Sequence, residues 1–79
     1  MTIHEYDIVA LIEEVSATHP ETQEPVQLRR GQVGTVLMGF DNEAALVDFA
    51  THDGQTYAME TIPLQKLMPL FYEPAMAAA

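Results

Sequence analysis

The sequence predicts an all-β fold, and two features carry this prediction. Short segments rich in branched residues alternate apolar with polar positions and are separated by turn signals such as Asp53-Gly54. The segment Leu28–Met38 joins a turn containing Gly31 to a strand beginning at Gly34, an arrangement typical of small SH3-like barrels. We therefore expect one SH3-like, five-stranded barrel over residues 1–79, with a long first loop and one short helical turn before the last strand.

The first part of the chain contains one predicted strand and a long loop. Tyr6–Ile12 is short and rich in branched residues, which predicts the first strand. The segment Glu13–Gln27 contains Pro20, Pro25 and several acids, so we expect a polar loop there. Loops longer than about 12 residues in compact domains are usually functional or mobile. This loop is therefore the first candidate surface.

Three further strands are predicted at Gly34–Phe40, Ala45–Phe49 and Thr56–Ile62. The polar segment 41–43 supplies the turn after the first of them, and an Asp-Gly hairpin turn precedes the last. Pro63 lacks the N–H that a strand ladder needs, so we expect one helical turn at 64–67 and a short closing strand at Leu67–Pro69. Residues 70–79 then form a C-terminal tail.

The alternation within these strands predicts which side chains form the core. Val47 and Phe49 should share a face, because successive strand residues point to opposite sides of a sheet, and Asp48 should point away. In the returning strand we expect Tyr57 and Met59 to join the core. The residues expected on the outer face of that strand are Thr56, Ala58 and Glu60.

Composition bounds the location and the partners of the protein. Hydrophobic residues make up 48% of the chain, which predicts a packed core, and the lack of cysteine suits the reducing cytoplasm. No apolar segment approaches the roughly 20 residues needed to span a bilayer. The formal net charge of −9 opposes binding to nucleic acid and to anionic membranes. We expect a cytoplasmic protein whose partner is a basic protein.

No catalytic, metal or cofactor site is expected. The single serine, Ser16, has no recognisable base and orienting group beside it, so a loop role is favoured over a nucleophile. The histidines His4, His19 and His52 lack the spacing of a closed metal site. Gly31 and Gly34 do not form a phosphate-binding loop, because the Walker lysine is missing. We expect Gly31 to adopt a positive φ and Gly34 to avoid a clash between strands.

The chain resembles a small bacterial family of domains of unknown function, DUF4926. The resemblance is carried by Tyr6–Leu11, Leu28–Val36, Val47–Phe49, Asp53-Gly54 and Leu64. It implies an SH3-like barrel, and the glycine-valine segment is also similar to the KOW element of ribosomal and transcription proteins. The chain departs from the RNA-binding versions in lacking a lysine-rich neighbourhood, and from the family pattern in a long insertion around 17–26. The resemblance supplies no catalytic residues.

Charged residues and an aromatic segment beyond the last predicted strand form the candidate partner surface. Phe71 and Tyr72 follow the last predicted strand, so they either pack across the open end of the barrel or form an interface. Arg29 and Arg30 are two of the three basic residues in this acidic chain, and they either anchor a partner's carboxylate or form internal ion pairs. The candidate partner-binding residues are Glu13, Glu14, Glu21, Glu24, Arg29, Arg30, Asp41, Glu43, Phe71 and Tyr72.

These observations favour a non-enzymatic protein-interaction module. One alternative is an antitoxin or inhibitor that neutralises a basic toxin or nuclease, with the acids between Glu13 and Glu24 imitating phosphate charge. Another is a small accessory subunit of a larger enzyme or redox complex. Homodimerisation through the aromatic tail is a further possibility.

Overall fold

The computed structural model describes residues 3–77, which form β-strands and a single 3₁₀ turn. The strands are β1 (Ile8–Leu11), β2 (Val15–Thr18), β3 (Pro25–Leu28), β4 (Val33–Phe40), β5 (Ala44–Ala50), β6 (Thr56–Pro63) and β7 (Leu67–Pro69). The 3₁₀ turn, Leu64–Lys66, precedes the last strand as predicted. The predicted all-β class is therefore confirmed. Residues 78 and 79 of the predicted tail lie outside the described residues.

The strands form one five-stranded antiparallel sheet, in the order β6-β5-β4-β1-β7, and a separate hairpin of β2 and β3. Strand β1 pairs with both β4 and β7, which brings the two ends of the fold together. Beyond β1, the Ile12 N–H donates to the Lys66 carbonyl at 3.0 Å. The 3₁₀ turn is thereby tied to the first strand.

The segment Glu13–Gln27 is not the irregular loop that its prolines and acids predict. It contains most of the β2–β3 hairpin, whose register runs from Val15 opposite Leu28 to Thr18 opposite Pro25. Proline is tolerated as the first residue of a strand, so Pro25 does not prevent pairing. The loop between the strands is closed by His19, whose Nδ1 accepts hydrogen bonds from two backbone N–H groups. The prediction of a long loop was therefore wrong.

The core lies between the inner face of the sheet and the hairpin. Val47 and Phe49 are fully buried, as predicted, while Asp48 between them is half-buried on the opposite face. The hairpin adds Ala17 and Leu28 to this core. The buried hydrophobic residues are Val9, Ala10, Leu11, Ala17, Leu28, Val36, Ala45, Val47, Phe49, Ala58, Ile62 and Leu67.

The predicted orientation of β6 is wrong in part. Ala58 is fully buried, Met59 is 43% exposed, and half-buried Glu60 lies opposite the fully buried Val47, which reverses the prediction for all three residues. The cause is a bulge: Phe49 pairs with Ala58 but Ala50 pairs with Thr56, so one extra residue interrupts the alternation. That residue is Tyr57, which packs half-buried against the core as expected.

Both glycine predictions are confirmed. Gly31 has φ +88°, in the turn between β3 and β4, and a Cβ there would meet no atom of residues 3–77 within 4 Å beyond its chain neighbours. Gly34 is buried in β4, where a Cβ atom would lie 2.6 Å from Cγ1 of Val47. The first glycine is therefore required by the backbone conformation and the second by the close approach of β5 side chains.

Candidate functional site

The candidate acidic residues are exposed in three separate turns. Glu13 and Glu14 lie between β1 and β2, Glu21 and Glu24 lie in the β2–β3 loop, and Asp41 and Glu43 lie in the β4–β5 turn. Glu13 forms an ion pair with Nζ of Lys66 at 3.4 Å. The structure therefore spreads the acids over several turns and does not gather them into one pocket.

Two of the three basic residues lie exposed in the turn between β3 and β4. Arg29 and Arg30 are both exposed, and within residues 3–77 neither has a carboxylate within 4.0 Å. The backbone N–H of Arg29 donates to Oε1 of Gln32 at 3.2 Å, which fixes the turn. Internal ion pairing, the alternative reading of the two arginines, is not observed in this part of the chain.

The aromatic tail leaves the sheet directly after β7. The Leu70 N–H donates to the Ile8 carbonyl at 3.0 Å and so extends the β1–β7 ladder. Beyond it, Phe71 is 81% exposed and Tyr72 is fully exposed. Leu70, Phe71 and Tyr72 line an apolar recess of about 230 Å³ together with Ile8 and Val33. The two rings do not pack across an open end of the fold, which was one of the two expectations for them.

The outer face of the five-stranded sheet is largely apolar, which sequence reasoning missed. Its exposed large side chains include Val33, Met38, Phe40, Met59 and Met68. Bulges interrupt β4 between Val36 and Met38 and β5–β6 after Phe49, and they conceal the alternation. Of the register-paired residues that share this face, only Asp48 carries a charge.

An open groove of about 810 Å³ crosses this face beside Asp48. Its floor includes Val33, Thr35 and Ala50, and the β5–β6 turn and Tyr72 lie at its borders. One Asp48 carboxylate oxygen accepts a hydrogen bond from the Thr56 hydroxyl at 2.7 Å. The groove therefore combines a small apolar area at Val33 and Ala50 with a single carboxylate and with the polar side chains of Gln32, Thr35, Thr51, His52 and Tyr57.

A second polar contact stiffens the wall of the groove. Nε2 of Gln32 donates to the Tyr57 hydroxyl at 2.6 Å, which links the β3–β4 turn to the bulge in β6. The same glutamine accepts the hydrogen bond from Arg29 through its side-chain oxygen. These two bonds fix the side chain of Gln32, which lines the groove.

The serine and the histidines considered for catalysis or metal binding make local contacts or are exposed to solvent. Ser16 lies in β2, not in a loop, and its hydroxyl donates to Oε1 of Gln27 at 3.3 Å. Nδ1 of His4 lies 3.6 Å from Oδ2 of Asp7, and His52 is exposed in the β5–β6 turn. Within residues 3–77, no group of three or more His, Cys, Asp or Glu side chains is placed to hold a metal ion.

The class of protein that the fold defines is a small all-β domain with a five-stranded antiparallel sheet and an accessory hairpin. Residues 5–69 match the family described as "Domain of unknown function (DUF4926)", and the chain belongs to this family. The comparisons with curated proteins and with solved structures gave no match. In the part of the chain that the structure describes, no helix has the length and apolar character needed to cross a membrane.

Proposed function

We propose that this chain is a non-enzymatic protein-interaction module that binds a basic partner protein. The observation that carries the proposal is the pair of uncovered aromatic side chains, Phe71 and Tyr72, beside an apolar sheet face. Aromatic residues dominate the binding energy of protein interfaces, and contiguous exposed apolar surface marks interaction sites. A partner that covers these side chains removes their apolar surface from water.

The charge of the chain supports a basic partner. The formal net charge is −9, and the acids in the three turns are exposed to solvent. Such a field accelerates encounter with a positively charged protein and disfavours acidic competitors. In the proposed interaction, the apolar face supplies affinity and the acidic turns steer the encounter.

The architecture that we infer is an SH3-like barrel in the cytoplasm. The antiparallel order of the strands and the 3₁₀ turn before β7 support the barrel. The side chain of Glu60 accepts a hydrogen bond from the Thr18 N–H at 3.3 Å, which connects the hairpin to β6. A chain without cysteine suits a reducing compartment, where disulfides are rare.

Affinity purification with a matched pair of tail variants tests the proposed function. The tagged wild-type chain is expected to retain a basic protein from a lysate of its own source cells at low salt. The variant Phe71→Ala/Tyr72→Ala should retain at least about tenfold less of that protein, because hot-spot truncations commonly cost 2 kcal/mol or more. Quantitative mass spectrometry of the eluates measures the ratio.

Met76→Ala is the control, because Met76 is also an exposed apolar residue of the tail. It should retain the partner as the wild type does. Equal retention by all three chains, or retention of acidic proteins alone, contradicts the proposal. A captured toxin or nuclease that loses activity on binding would specify inhibition as the role, and a large complex that survives high salt would specify an accessory subunit.

A further inference from the structure

We propose that the groove beside Asp48 receives an arginine side chain of the partner protein. This inference rests on the proposed function and gives it a defined contact. The groove is about 810 Å³ in volume and open to solvent along the outer face of β4 and β5. An extended side chain can therefore enter it without displacement of the core.

The carboxylate of Asp48 gives the groove its charge preference. Asp48 is half-buried, and within residues 3–77 no lysine, arginine or histidine nitrogen lies within 4.0 Å of its carboxylate. One of its oxygens accepts the Thr56 hydroxyl, which holds the side chain in one orientation. A fixed carboxylate that forms no ion pair among these residues is complementary to a positively charged group of a partner.

The surroundings of Asp48 favour arginine over lysine. Val33 and Ala50 offer apolar surface to the aliphatic part of a long side chain. Tyr72 lies at the border of the groove, where its ring is free to stack on a planar guanidinium. The hydroxyl of Thr35 adds a hydrogen-bond acceptor for a guanidinium N–H group. Lysine matches the charge but not the stacking or the number of donors.

The test is an NMR titration of the full, ¹⁵N-labelled chain with the peptide acetyl-Leu-Arg-Leu-amide. A second peptide carries citrulline in place of arginine and so has the same shape without the charge. We expect saturable shifts of the amides of Thr35, Asp48, Ala50 and Thr51 with the arginine peptide, and no saturable shifts with the citrulline peptide.

Two variants that remove the same charge locate the binding site. Asp48→Asn retains an oxygen for the Thr56 hydroxyl and should weaken binding of the arginine peptide by about tenfold, because it removes a charge-assisted contact. Glu5→Gln should weaken it by less than about twofold, because Glu5 is exposed in the segment before β1 and does not line the groove.

Equal weakening by both variants would overturn the groove assignment and leave the general attraction between an acidic module and a basic partner intact. Peptide shifts that map to another surface, or the absence of saturable shifts in millimolar peptide, would overturn the assignment as well. Failure of the proposed function has a different signature, since the tail variants would then leave the captured proteins unchanged in the affinity purification.

Discussion

Replacing Phe49 by alanine is expected to unfold the protein. Phe49 is fully buried, and it is the largest of the fully buried side chains in the described part of the chain. Truncation of a buried phenylalanine typically costs about 3–5 kcal/mol. A single core in a domain of this size rarely supplies more than about 3–5 kcal/mol of stability, so the loss is comparable with the whole free energy of unfolding.

Circular dichroism and urea unfolding measure this effect. The Phe71→Ala variant removes the same side chain from an exposed position and should change the free energy of unfolding by no more than about 0.5 kcal/mol. A Phe49→Ala chain whose unfolding midpoint matches that of the wild type would show that Phe49 does not lie in the core.

Replacing Gly34 by alanine is expected to destabilise the fold, although only one methyl group is added. The new Cβ would lie 2.6 Å from Cγ1 of Val47 and 2.9 Å from Cδ1 of Phe49. Both neighbours are fully buried, so neither can move into solvent. Overpacking of this kind costs about 1–3 kcal/mol. Urea unfolding of the variant and the wild type gives the difference.

Gly39→Ala provides the matched control in the same strand. Within residues 3–77, no atom beyond Gly39 and its two chain neighbours lies within 4 Å of a Cβ at this position, so this variant should be neutral or stabilised by up to about 1 kcal/mol. Shortening the clashing neighbour in the double variant Gly34→Ala/Val47→Ala should give a loss smaller than the sum of the two single losses. Strict additivity would contradict the close contact between β4 and β5.

Much of the fold follows from local patterns in the sequence. The Asp-Gly turn, the alternation around Val47 and Phe49, and Pro63 before the 3₁₀ turn each act within a few residues. The β2–β3 hairpin does not follow in this way, because its prolines and acids are typical of loops. Its pairing is supported by the burial of Ala17 and Leu28 against the sheet. Tertiary packing therefore decides the structure of this segment.

The candidate site was predicted only in its exposed parts. The exposure of the acidic turns and of the aromatic tail agrees with what charge and position along the chain indicate. The apolar outer face and the groove beside Asp48 were missed, because two bulges shift the alternation of β4 and β6. A bulge depends on pairing between strands, and a single strand's sequence does not reveal it.

In the proposed interaction, an acidic module with an uncovered aromatic surface binds a basic protein. The most direct measurement is calorimetric titration of the purified partner into the wild type and into Phe71→Ala/Tyr72→Ala at several salt concentrations. The proposed interaction should weaken as salt increases, since exposed charges are screened, and the double variant should bind at least about tenfold more weakly at every salt concentration. An affinity that depends neither on salt nor on the two aromatic side chains would contradict it.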